Sequence, residues 1–318
     1  MIKEHCYFDL GESRIAYTVF KIAMPHGDSL ASESKTSDYS GSPRRLLLLH
    51  GAGVAGELTW TFIINYLKHW DEILVPDLLG MGESYFDSSD QLAFSIEDIC
   101  HSLFSLLRHH HWCSFDMAGY SLGGLVALEM NNESKRMLHS RSKKELNETL
   151  SQDFIINSLC LIEPALFSDQ SLQASLIFRK LFSPLAANIK SDPDNAQHFI
   201  DFLDLVSPNR KSSQTMDKIA VQRLQLRPIG FAHALAAVSD YADHLTDVKL
   251  HQIVSSIPRG LGIVGGLSNP GLLLAQQNIQ SQQKNWHIEL LENTDHSLIY
   301  VRPKSVAKLM NQYLGGSF

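Results

Sequence analysis

The sequence predicts an α/β fold, a doubly wound and mostly parallel sheet with an inserted helical cap. Two observations carry this. Short aliphatic runs bounded by Gly, Pro and Asp alternate with amphipathic stretches of helical period, the pattern of a parallel sheet covered on both faces. Between Pro164 and about His251 that alternation stops, several helical patterns follow one another without a clear strand, and then it resumes. Composition agrees. A chain of 318 residues, 44% hydrophobic and 19% charged, can bury a sizeable core. The same balance excludes a disordered chain, a coiled coil and a collagen-like fibre.

The elements follow in order. Residues 5–22 read as two strands around a turn at Leu10-Gly11-Glu12-Ser13, and the Ser-, Gly- and Asp-rich residues 25–43 as a surface loop. Arg45 to His50 is a buried strand that meets Gly51-Ala52-Gly53. Thr61 to Trp70 has helical period, Glu72 to Val75 is a strand, and Ile96 to His110 places apolar residues at 96, 99, 103, 106 and 107, one helical face. Ser114 to Ala118 is a strand and Leu122 to Met130 a helix, followed by a charged helix end and loop over 131–152. Ile155 to Ile162, Gly260 to Val264 and His287 to Leu291 complete the strands, with helices over Gly271 to Gln280 and Lys304 to Leu314. An all-helical insertion in such a sheet reads as a cap over the strand ends, where open α/β sheets place their sites. The expected division is therefore a core over 1–163, a cap over 164–250 and a second core segment over 251–318.

Charge narrows the partners. The formal net charge of −7 leaves no broad basic footprint for nucleic acid. The apolar runs are too short to span a bilayer, and Met1 to His5 holds no apolar signal core. The four cysteines, Cys6, Cys100, Cys113 and Cys160, form no CxxC pair. Cys113 and Cys160 adjoin apolar strands and read as small buried hydrophobes in a reduced, cytoplasmic protein.

The sharpest local signal is Gly119-Tyr120-Ser121-Leu122-Gly123-Gly124, a G-x-S-x-G sequence between an apolar strand and a helix. A nucleophile on so tight a turn has strained backbone angles, and glycines two before and two after it relieve the crowding. The turn lifts the hydroxyl out of the sheet and sets it at a helix N-terminus, where free N–H groups favour developing negative charge.

With that motif in place the chain resembles the α/β-hydrolase superfamily, over most of its length and through four motifs in order. His50-Gly51-Ala52-Gly53 resembles the family's oxyanion loop, Pro76-Asp77-Leu78-Leu79-Gly80-Met81-Gly82-Glu83-Ser84 its D-x-x-G-x-G-x-S loop, Gly119 to Gly124 its nucleophile elbow, and Asp295-His296 its histidine loop. The resemblance implies Ser121 as nucleophile, His296 as the base it requires, and the amides of Ala52 and Leu122 as oxyanion donors. It implies structural roles for His50, Asp77 and Ser84.

One motif departs. Where the family usually carries its acid, after the seventh strand as G-x-x-D, this chain reads Gly265-Gly266-Leu267-Ser268-Asn269-Pro270 and has no carboxylate. Asn269-Pro270 reads as a helix N-cap followed by Pro at the first helical position. Some members carry the acid after the sixth strand. There this chain has Glu163, at the end of the run Leu159 to Ile162, on the sheet edge that bears Ser121. Glu163 is the expected acid, and a dyad supported by Ser268 or Asn269 is the alternative. Asp295 is too close to His296 in sequence to reach its ring, and Asp247 reads as structural.

His109-His110-His111 point in different directions from a helix end and do not converge on a metal. Trp60 reads as core, and Phe178, Phe182, Phe199, Phe202 and Phe231 as cap packing, some of it lining an acyl pocket. The expectation is a serine hydrolase of carboxylesterase type, without cofactor or metal. It would act on an ester or related acyl bond of a small, largely apolar substrate through an acyl-enzyme. Its alternatives are a carbon–carbon bond hydrolase, a menaquinone-pathway-type elimination enzyme, or a ligand-binding protein of the same fold.

Overall fold

The computed structural model describes residues 1–22, 43–86, 92–141, 153–165 and 172–315. The loop expected over 25–43 therefore lies, except for Pro43, outside the described residues, as do residues 142–152 of the loop expected after the third helix.

The first hairpin pairs β1 (Ile2–Leu10) with β2 (Ser13–Lys21). Three elements then follow: β3 (Arg45–Leu49), α1 (Gly56–Ile64) and β4 (Glu72–Pro76). A two-residue β5 (Tyr85–Phe86), α2 (Ile96–His109), β6 (Ser114–Tyr120), α3 (Leu122–Arg141) and β7 (Ile155–Ile162) complete the first half. Among the described residues six helices intervene before the next strand: α4 (Leu172–Arg179), α5 (Phe182–Ser191), α6 (Ala196–Val206), α7 (Gln214–Leu224), α8 (Pro228–Asp243) and α9 (Asp247–Ser256). The chain then runs through β8 (Gly260–Gly265), α10 (Pro270–Gln282), β9 (Trp286–Leu291), α11 (Leu298–Val301) and α12 (Pro303–Tyr313).

The strands form one sheet in the order β1-β2-β4-β3-β6-β7-β8-β9, with β5 paired to β2. β1, β2 and β5 are antiparallel to their neighbours; from β4 to β9 every pair is parallel. Aliphatic runs suit this centre because both faces are covered. In β3, Leu47 and Leu49 join the core on one face with α2, α3 and α9, while Leu46 and Leu48 join the core on the other with α1 and α12. The period-2 alternation of strand side chains divides them. The starts of α2 and α9 are set by local chemistry. Ser95 caps α2 with a reciprocal bond to Asp98, and Thr246 caps α9.

Two local expectations shift, and one expected boundary falls inside a helix. The helix read over Thr61 to Trp70 begins earlier, at Gly56, and is regular only to Ile64. The Gly56 N–H donates to Asp77 Oδ1 at 2.6 Å, so a residue distant in sequence fixes the first turn. Cys113 is exposed, not buried, because β6 emerges from solvent at Ser114 before its apolar residues begin. The boundary at 250 falls inside α9, whose Ile253 and Val254 lie in the main core. Among the described residues no helix is long and apolar enough to cross a membrane.

The helices between β7 and β8 build a further apolar cluster around Phe182, Phe199, Phe202 and Phe231, against which Ala52 also packs. Phe199 stacks on Phe231 at 5.7 Å and Phe202 meets it edge-on at 4.9 Å. This third cluster joins the helical stretch to Ala52, the residue that follows His50-Gly51.

Candidate active site

Sheet register sets the site. Tyr120 on β6 is paired with Ile162 on β7, so the next residues, Ser121 and Glu163, leave the two strand ends side by side. Ile162 is paired with Ile263 on β8, and Gly265 with Leu291 on β9, which brings the loop after β9 to the same edge.

Ser121 sits at φ +53°, the left-handed region. Its N–H donates to Ile162 O at 3.0 Å, and its carbonyl accepts from the Gly124 and Ala165 amides at 2.9 and 2.8 Å. The flanking glycines are steric necessities. A Cβ on Gly119 would stand 2.1 Å from Gly123 O, and one on Gly123 would stand 2.4 Å from Leu49 O. The amides of Gly123, Gly124 and Leu125 are taken by His50 O and Ser121 O. The Leu122 amide has no acceptor among the described residues, as expected at the first position of a helix. Ala52 lines the cavities that reach Ser121.

Three side chains form a chain of contacts. His296 Nε2 lies 3.1 Å from Ser121 Oγ, and His296 Nδ1 lies 2.7 Å from Glu163 Oε2. Glu163, fully buried and at φ +48°, accepts the Gly265 amide on its other oxygen at 2.6 Å. A carboxylate facing Nδ1 fixes a proton on that nitrogen and leaves Nε2 as the acceptor toward the serine. The imidazole is held through its own backbone as well. Its N–H donates to Ser207 Oγ at 2.9 Å, and Tyr120 OH donates to its carbonyl at 2.8 Å. Burial raises the Tyr120 pKa well above the ordinary phenol value, so this hydroxyl stays a donor.

The remaining sequence candidates are brought elsewhere. Asn269 Oδ1 accepts the Gly271 amide at 2.9 Å and caps α10, with Pro270 at its first position. Ser268 Oγ is buried without a partner among the described residues. Asp295 accepts from the Ser297 amide and hydroxyl, closing its own turn, and Asp247 is an exposed first-turn residue of α9. His50 braces two loops: Nδ1–H donates to Gly51 O at 2.6 Å and Nε2 accepts the Leu78 amide at 2.8 Å. Burial lowers its pKa, and the two bonds fit the neutral ring. Asp77 gathers the Gly56 and Glu83 amides, and Ser84 donates to Asp77 O. His109 and His110 pack separately on Phe8 and Tyr17, and no metal-binding cluster occurs among the described residues.

Sequence reading missed Ser207 and Tyr120. Tyr120 stands beside Ser121 in the elbow and passes for a buried strand residue; Ser207 ends α6 with no local signal. Two cavities meet at Ser121, Ala52, Phe202 and His296. The larger, about 290 Å³, extends past Leu203, Ser207 and Leu224 to Met216 and Val301. The smaller, about 40 Å³, runs past Leu122 and Glu163 beneath Phe178, Arg179 and Phe182.

A model of the alpha/beta hydrolase family matches residues 46–309. No curated protein sequence matches the chain. Among solved structures, an alpha/beta hydrolase enzyme from a Medee basin deep-sea metagenome library is similar, with a TM-score of 0.69, 13% identity and 98% coverage of both chains. The esterase from Exiguobacterium antarcticum is similar at 0.66, with 13% identity over 96% of both chains. The epoxide hydrolase CorEH is similar at 0.63, with 14% identity over 98% of this chain and 99% of that one. At these identities the likeness is one of fold.

Proposed function

The chain belongs to the alpha/beta hydrolase family, and from that premise we propose that it is a serine hydrolase that cleaves an ester or related acyl bond through an acyl-enzyme. The observation that carries this is the unbroken relay from Ser121 Oγ through His296 to Glu163, at 3.1 and 2.7 Å. Ser121 Oγ attacks the carbonyl carbon while its proton passes to His296 Nε2. The oxygen that gains charge is received by the Ala52 and Leu122 amides, each such donor worth about 3 kcal/mol in related chemistry. Glu163 stabilises the imidazolium through Nδ1–H without taking the proton. As the tetrahedral intermediate collapses, the bond to the leaving oxygen breaks and His296 returns the proton to it. Water then attacks the acyl-enzyme by the same route, releasing the acid and restoring the serine.

The helical stretch between β7 and β8 acts in this reading as a cap. Phe202, Leu203 and Leu224 turn apolar surface toward Ser121 from that stretch, which suits a small, largely apolar substrate. The relay also weighs against a ligand-binding protein that has lost its chemistry. A fluorophosphonate probe tests the reading: Ser121 is expected to label and Ser121→Ala to abolish labelling. A p-nitrophenyl ester series is expected to turn over with a preference for short acyl chains. Labelling without ester turnover would move the assignment to the carbon–carbon hydrolase or elimination chemistries.

A further inference from the structure

The smaller cavity is lined by a cation that forms no ion pair among the described residues. Arg179, at the end of α4, lines it together with Ser121 and Leu122. Its Nη2 donates to Ala165 O at 2.5 Å, and its guanidinium carbon lies 5.0 Å from the Phe182 ring centre and 5.9 Å from that of Phe178. No described carboxylate lies against it. Glu163 lines the same cavity, but it bonds His296 Nδ1 and the Gly265 amide and forms no ion pair with Arg179. Part of the side chain is accessible, yet withdrawal from water still lowers its pKa to about 10, leaving it charged at neutral pH.

A guanidinium so placed is costly unless something supplies the opposite charge, and its planar fork matches a carboxylate. Two aromatic faces and one carbonyl compensate it in part. The size of the cavity limits the partner. At about 40 Å³ it admits roughly three water-sized groups, enough for a short chain and its terminus. The larger cavity, rimmed by exposed Met216, Ile219 and Val301, leads outward and suits the leaving group.

We propose that Arg179 is a specificity-determining residue that receives a carboxylate on the short acyl part of the substrate, so that the preferred substrates are monoesters of small dicarboxylic acids. This rests on the serine-hydrolase reading and refines its apolar substrate: the apolar part becomes the leaving group.

The test compares ethyl hydrogen succinate with ethyl pentanoate, whose acyl chains are of similar length and differ in terminal charge. The wild-type protein is expected to favour the succinate ester in kcat/KM by about tenfold or more. Arg179→Met is expected to shift that ratio about a hundredfold toward the neutral ester, with Arg179→Lys in between. A second readout needs no turnover: succinate, but not pentanoate, should protect wild-type Ser121 from a fluorophosphonate, and Arg179→Met should remove the protection. That comparison stands on the wild-type protein even if Arg179→Met does not fold. If Ser121 labels but succinate gives no protection and the neutral ester is preferred, the carboxylate site is overturned and the hydrolase reading stands. If Ser121 never labels, the hydrolase reading fails, and a thermal shift by succinate, present in wild type and lost in Arg179→Met, still decides whether the anion site exists.

Discussion

The ends of β7 and β8 are neighbours in the sheet and opposite in chemistry. β7 ends in Glu163, a buried carboxylate 2.7 Å from His296 Nδ1. β8 runs out through Gly265 and Gly266 to Ser268, whose buried hydroxyl has no partner among the described residues, and Asn269, which caps α10. Yet the β8 end takes part: the Gly265 amide holds the second oxygen of Glu163 at 2.6 Å. One strand supplies the charge and the other its orientation. A relay needs a carboxylate within reach of Nδ1; it does not require that carboxylate to come from a particular strand.

Glu163→Gln is the most direct way to break this contrast and carries the largest expected effect. The Gly265 amide selects the side-chain oxygen of the new Gln, which turns its NH2 group toward Nδ1. The imidazole must then accept there and carry its proton on Nε2, where it can no longer take one from Ser121. A fall in kcat of about 10⁴-fold is expected, with the fold intact by circular dichroism. A rate within tenfold of wild type would move the acid away from β7.

The next test relocates the charge. A Cβ on Gly265 would be 3.0 Å from both Ser268 Oγ and Asp295 O, so Ser268 borders the loop that carries His296. Ser268→Asp in the Glu163→Gln background should recover kcat by about tenfold, since it puts a carboxylate beside the loop but without the amide that orients Glu163. No recovery would show that orientation, not charge, limits the relay.

The same contrast explains what could be read from the sequence. Ser121 was legible because its constraints are written in adjacent residues: each flanking glycine stands where a Cβ would strike backbone. The meeting of Glu163 and His296 was foreseeable because the resemblance implies a strand order that brings both loops to one edge, and the Asn269-Pro270 cap because it is local. The start of α1 was not, since its first amide is held by Asp77 from beyond the next strand. Ser207, at the end of α6, and Arg179, in α4, were not, because a helical period marks an apolar face without fixing how the helix lies over the sheet. The exposure of Cys113 was misread for a simpler reason: its apolar neighbours do not extend their burial to the residue that precedes the strand.

The smallest effects belong to the β8 end, and their signs should differ. Ser268→Ala removes a buried hydroxyl with no partner among the described residues, so stability should be unchanged or raised by up to about 1 kcal/mol. Asn269→Ala removes the acceptor of the Gly271 amide at the start of α10, which costs about 1 kcal/mol by the usual value of such a cap. Both are measurable by urea unfolding. In both variants kcat should stay within about threefold of wild type, because neither side chain bonds the Ser121–His296–Glu163 relay. Should Asn269→Ala lose activity by orders of magnitude while its unfolding midpoint barely moves, the β8 end would be more than a scaffold, and the division of labour between the two strands would have to be redrawn around Asn269.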